Sequence, residues 1–211
     1  MIVNPFVSSL VAFLLGYLLG SIPSAYIAAR RVLGQDIRQL GGGNIGGLNT
    51  FREVGRAYGI AVTLADIAKG AAAVAIARWG LNLEPSYVYL AAGAAVVGHN
   101  WMVWLRFSGG KGMGATVGAL AVLMPAFGYT AGLGILGAIL VVPLLLTRNV
   151  ALSMGIGLVA LPFIAWRTGP HSGMMVAWAV AVGLLIAAKF APVALASIRK
   201  SRSLADFIRG D

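Results

Sequence analysis

Lys111 stands in the run Phe107-Ser108-Gly109-Gly110-Lys111-Gly112. An earlier run reads Leu40-Gly41-Gly42-Gly43-Asn44-Ile45-Gly46-Gly47-Leu48-Asn49, with Arg52 and Arg56 behind it. Glycines let backbone N–H groups crowd around an anion. A lysine adds a compact positive charge, and an arginine adds a two-pronged donor that matches phosphate. Residues of these types, so arranged, suit a phosphate group. The plainer reading of the first run is a flexible loop whose arginines only set membrane topology. The second run is not a Walker A loop: the G-x-x-x-x-G-K-[ST] spacing is absent and no strand precedes it. It opens an apolar run, so a helix N-terminus would face the anion.

Two further constellations carry polar chemistry. Asp66 and Lys69 sit three residues apart inside an apolar stretch, on one helix face. Ionisable groups inside a membrane are costly and are either functional or paired, and both readings stay open here. Gly70 and Ala71-Ala72-Ala73 thin that face, so a neighbouring helix can pack closely. Gly98-His99-Asn100 offers a histidine that either acts as a general base or fixes a neighbouring loop. No second His, Cys or carboxylate lies at metal-ligand spacing, so no metal site and no cofactor is expected. The chain has no cysteine, which removes thiol chemistry.

The elements that must hold these residues read as membrane helices. The 211 residues are 59% hydrophobic and 10% charged, with mean hydropathy +0.88. A soluble domain carries about 25% charged residues. The expectation is an all-α polytopic bundle, one domain over 1–211, with seven spans of roughly 20 residues or a little less. They are Pro5 to Ala29, Ala57 to Ala77, Tyr87 to Leu105, a hairpin over Gly112 to Thr147 turning near Met124–Gly128, Val150 to Trp166, and Ser172 to about Ala188. Aromatic residues such as Trp79, Tyr87, Trp101, Trp104 and Trp166 fall near span ends, as an interfacial belt would. No cleavable leader is expected, because the first apolar run has no basic flank.

Charge supports that count. Arg30, Arg31, Arg38, Arg52, Arg56, Arg106, Lys111 and Arg148 fall in the odd connections, and the basic tail includes Arg199, Lys200 and Arg202. The even connections hold only Arg78 and Arg167. Cations mark the cytoplasmic side, so the N-terminus is expected outside and the C-terminus inside. Both glycine runs then open on the cytoplasmic face of the cell membrane. The net charge of +10 is explained by topology and anionic lipid headgroups, not by nucleic acid.

In order, the chain shows Gly20-Ser21-Ile22-Pro23, Asp36-Ile37-Arg38, Gly43-Asn44-Ile45-Gly46 with Asn49 and Arg52, Asp66-x-x-Lys69-Gly70, Gly98-His99-Asn100, and Gly109-Gly110-Lys111-Gly112 with Ala115-Thr116. This series resembles the bacterial acyl-phosphate:glycerol-3-phosphate acyltransferase family, strongly from Gly20 to about Gly118. The resemblance implies a seven-helix membrane enzyme that moves a fatty acyl group from acyl phosphate to the 1-hydroxyl of glycerol 3-phosphate. It implies lysophosphatidic acid and phosphate as products, and neither metal nor coenzyme A. The substrate's own phosphate would help deprotonate the hydroxyl. Gly43, Asn44 and Gly46 would shape the first phosphate loop, and Asn49 and Arg52 would contact phosphate or the glycerol. Lys111, with Gly109, Gly110 and Gly112, would hold the acyl phosphate. Asp66 and Lys69 would brace the cluster, and His99 and Asn100 would pin the second loop.

The chain departs from the family pattern at four places. Gly42 stands where a serine is usual and Leu48 where a threonine is. Ala151-Leu152 replaces a Ser-Leu pair, with Ser153 nearby. Beyond His171 there is no His, Asn or Glu, so the family's closing His-Arg-x-Asn motif and later Glu are missing. Two other readings therefore stand beside the acyltransferase: a family member that binds phospholipid or phosphorylated intermediates without turnover, and a small membrane transporter lined by Asp66, Lys69 and His99.

Overall fold

The structure is a computed structural model that describes residues 4–170 and 173–200, with side chains to residue 192. Among the described residues the chain is helical, and its only strand-like feature is an isolated bridge between Met102 and Ser108. The chain forms two compact units, Met1–Leu123 and Met124–Asp211.

The first unit begins with α1 (Pro5–Gly20). The Asn4 side chain accepts from Phe6 N–H and Pro5 occupies the first turn, where its missing N–H costs nothing. A continuous span to Ala29 was the sequence expectation, but the helix breaks at Ser21-Ile22-Pro23 and resumes as α2 (Ser24–Leu33). Proline has no N–H for the ladder and its ring crowds the preceding turn, which explains the break. Then come a 3₁₀ turn (Ile37–Gln39), α3 (Gly47–Glu53), α4 (Arg56–Ala75) with a π turn (Ile76–Gly80), α5 (Pro85–Asn100), a 3₁₀ turn (Val103–Leu105) and α6 (Met113–Ala126). The expected third span to Leu105 is also shorter: α5 stops at Asn100, and residues beyond it turn back toward the second glycine run.

Small residues let these helices meet backbone to backbone. A Cβ on Gly16 or Gly20 of α1 would overlap the carbonyl oxygens of Ala91 and Ala95 on α5, and one on Gly98 would overlap that of Tyr17. On the other flank, Gly70 of α4 meets the Ala115 carbonyl of α6, and Gly118 of α6 meets that of Ile67. Close crossings of this kind supply the dispersion contacts that hold helices together in lipid, where apolar burial alone gives little. Large apolar side chains meanwhile face outward, among them Leu14, Leu18, Ile60 and Leu64. Beside the helices, Ala25, Ala29, Ile37, Ile45, Val62, Met102 and Leu105 form a buried cluster that ties α2 and the first glycine run to the turn after α5.

The second unit holds α7 (Thr130–Thr147), α8 (Val150–Thr168) and α9 (Gly173–Lys200). The stretch expected as a hairpin over Gly112 to Thr147 is divided into two helices, α6 and α7, with a turn at residues 127–129 between them. In this unit α7 packs on α8 and α8 on α9. Ser153 is buried and its hydroxyl donates to the Leu140 carbonyl, so it fastens α8 to α7. Among the described residues, five segments are long and apolar enough to cross a membrane: Pro5–Leu33, Arg56–Gly80, Thr130–Thr147, Val150–Thr168 and Gly173–Pro192. At 16 and 14 residues, α5 and α6 fall short of the roughly 20 a straight crossing takes.

Candidate active site

The two glycine runs, more than 60 residues apart in sequence, touch. Gly110 is buried between the His99 ring and the Ile45 carbonyl, so tightly that a Cβ there would overlap both His99 Nε2 and Ile45 O. Gly109 lies against the carbonyls of His99 and Asn100, and Gly110 N–H donates to His99 O at 3.0 Å. Gly112 has φ +79°, a left-handed value that suits glycine, and the Asn100 side-chain amide lies over it. His99 and Asn100 thus meet the second loop chiefly through their backbone carbonyls. Lys111 is half-buried where this loop enters α6, and burial pushes its ammonium below the ordinary lysine value of 10.5.

The first loop is closed by its own side chains. Asn49 was expected to contact phosphate or to orient the glycerol group. It is buried, and its amide donates to Leu40 O at 3.0 Å while its oxygen accepts from Gly42 N–H at 3.2 Å. Gly43 has φ +68°, and the Asn44 side chain lies over Gly46. Asn44 is half-buried at this bend, and Arg52 is exposed in the last turn of α3. Arg38 grips Asp36 at 2.6 Å, donates to Leu105 O at 3.4 Å and stacks over Tyr26 at 5.9 Å. Those hydrogen bonds hold the Asp36 carboxyl below its usual range and raise Arg38. Arg38 therefore braces the first loop against the turn before the second, while Arg52 and Arg56 are exposed.

Beneath the loops lies a buried polar knot. Asp66 faces Lys69 Nζ at 2.8 Å and accepts from Ser24 Oγ at 2.7 Å, and His99 Nδ1 lies 3.6 Å away. Lys69 also donates to Ile22 O at 3.0 Å, within the break between α1 and α2. Asp66 and Lys69 are thus a pair that does more than neutralise itself: it fastens a helix break that hydrocarbon would otherwise leave unsatisfied. Ser24 and the Ile22 carbonyl had no signal in sequence beyond the neighbouring proline. His171 and the tail side chains of Arg199, Lys200 and Arg202 lie outside the described residues.

In this arrangement a lysine stands where a glycine loop enters the N-terminus of α6, with the first glycine loop in contact at Gly110. A phosphate is the anion it suits best. Similarity to known proteins points the same way. Residues 10–199 match the family described as glycerol-3-phosphate acyltransferase. The chain is 51% identical over 180 residues to glycerol-3-phosphate acyltransferase 1 of Dehalococcoides mccartyi, covering 85% of this chain and 86% of that one. A Synechococcus glycerol-3-phosphate acyltransferase is 39% identical over 181 residues, with the same coverage. The crystal structure of PlsY (YgiH), an integral membrane glycerol 3-phosphate acyltransferase in its glycerol 3-phosphate form, superposes with a TM-score of 0.79 at 26% identity, over 93% of this chain and 96% of that one. With the match running from α1 into α9 and taking in both glycine loops, this multi-pass membrane chain belongs to the glycerol-3-phosphate acyltransferase family.

Proposed function

We propose that the chain transfers a fatty acyl group from acyl phosphate to the 1-hydroxyl of glycerol 3-phosphate, giving lysophosphatidic acid and inorganic phosphate for phospholipid synthesis. The observation that carries this reading is the contact of the two glycine loops at Gly110, beside Lys111. In the reaction the 1-hydroxyl oxygen attacks the acyl carbonyl carbon. The bond from that carbon to the phosphate oxygen breaks, and phosphate leaves with the electron pair. The hydroxyl proton passes to a phosphate oxygen, so no dedicated protein base is needed. Negative charge grows on the acyl oxygen and the leaving phosphate. Lys111 and the backbone N–H groups of the second loop stabilise it, and Asn44 and Arg52 attend the acceptor's phosphate. A single donor at such a place is worth about 10²–10³ in rate.

Seven crossings, with α5 and α6 completed by their flanking turns, put both loops on the cytoplasmic side of the cell membrane. The excess of cations in the odd connections supports that orientation. The test is to supply the purified protein with acyl phosphate and glycerol 3-phosphate and measure phosphate release together with acylated product. Turnover by the wild type, lost at least 100-fold in Lys111→Ala, is the expected result. Binding without turnover by the wild type would overturn it.

A further inference from the structure

Phosphate binding by two glycine loops does not in itself call for a buried carboxylate, yet Asp66 lies at the centre of the first unit with 4% of its surface exposed. Its Oδ1 gathers Ser24, Lys69 and His99. The His99 ring spans from that carboxylate to the place where the loops meet. Nδ1 faces Asp66 at 3.6 Å and Nε2 lies against Gly110, which also meets Ile45 of the first loop. The residue after Gly110 is Lys111.

The electrostatics give the ring a direction. Lys69 pairs with the same carboxylate oxygen at 2.8 Å. At 3.6 Å the approach is longer than a hydrogen bond. A lone pair aimed at a carboxylate across that distance is nevertheless repelled, whereas an N–H dipole is attracted. That preference turns Nδ1 toward Asp66 and leaves Nε2 against Gly110 of the second loop.

We infer that Asp66 is a positioning residue that acts through His99, fixing the ring so that Nε2 sets the second glycine loop, and with it the reach of Lys111 to the substrate phosphate. The inference rests on reading these loops as the phosphate site. The bland alternative is that Asp66 only neutralises Lys69.

The double variant Asp66→Leu/Lys69→Gln separates the two. It removes both charges together, which buried ion pairs often tolerate, and it removes the acceptor facing His99. The expected result is a thermal midpoint in detergent within a few degrees of wild type. KM for the phosphate-bearing substrates should rise about tenfold or more, and adding Lys111→Ala should then cost far less than it does in the wild type. A wild-type KM, or an undiminished Lys111→Ala loss, overturns the inference. Should the double variant not fold, His99 decides. His99→Gln reaches toward Gly110 with a polar end and is expected to retain more activity than the shorter His99→Asn, and equal or reversed losses overturn the inference. Wild-type turnover in the same assay judges the phosphate reading separately: an inactive wild type sinks that reading, and an active wild type with indifferent variants sinks only this one.

Discussion

Lys111 is held half-buried at the mouth of α6, and its environment has a measurable consequence. Burial disfavours the ammonium, so its proton is released at a lower pH than from an exposed lysine. The charge is present below that lowered value and lost as pH rises through it. Activity that depends on the charge should fall on the alkaline side earlier than an ordinary lysine would dictate. In Lys111→Arg the guanidinium stays charged throughout that range. Its kcat/KM should be lower near neutrality, because the fork does not fit a point-charge site, yet hold further into the alkaline range. A pH–rate profile of both proteins checks this, and an unchanged alkaline limb would remove Lys111's charge from the mechanism. The type and spacing of this residue were legible in sequence. Its neighbours were not, because Ile45 and His99 reach Gly110 only through the fold.

At the scale of elements, the instructive feature is the break between α1 and α2. Apolar composition alone reads as one span from Pro5, and Pro23 is the local cause of the interruption. What makes the break tolerable is Lys69, which donates to the Ile22 carbonyl across 47 positions of sequence while pairing with Asp66. Lys69→Met would leave Asp66 without its ammonium and Ile22 without that donor. Breaking a buried pair from one side costs about 3 kcal/mol or more. A clear drop in thermal midpoint in detergent, larger than for the Asp66→Leu/Lys69→Gln variant, is the expected outcome. An unchanged midpoint would mean that this pair contributes nothing to holding the break. The i, i+3 spacing of Asp66 and Lys69 announced a pair. Ser24, 42 positions from Asp66, could join it only once α2 was set against α4.

For the molecule as a whole, orientation in the membrane is the property most open to direct test. The chain has no cysteine, so single cysteines report without background. Gln35 lies just after α2 and Ser86 in the first turn of α5, and both are exposed. With the loops facing the cytoplasm, a membrane-impermeant maleimide added to intact cells should label Ser86→Cys and leave Gln35→Cys untouched until the membrane is opened. The opposite pattern would invert the orientation. The departures at Gly42 and Leu48 bear on the same scale, since the first loop closes without their hydroxyls: Asn49 holds it through Leu40 and Gly42 backbone groups.

Apolar runs interrupted by charges and glycine were enough to establish a helical membrane protein, and the order of motifs was enough to suggest its family, because hydrocarbon allows so few ways to satisfy a backbone. The phosphate-suited residue types were equally visible, since glycine, lysine and arginine carry their chemistry wherever they stand. The tertiary structure alone decided that Arg38 braces rather than projects, that Asn49 faces its own loop, and that Asp66, His99 and Gly110 form one line to Lys111. Those outcomes depend on which helices cross closely, and the glycine contacts of α1 with α5 and of α4 with α6 settle that through space, where no local pattern records it.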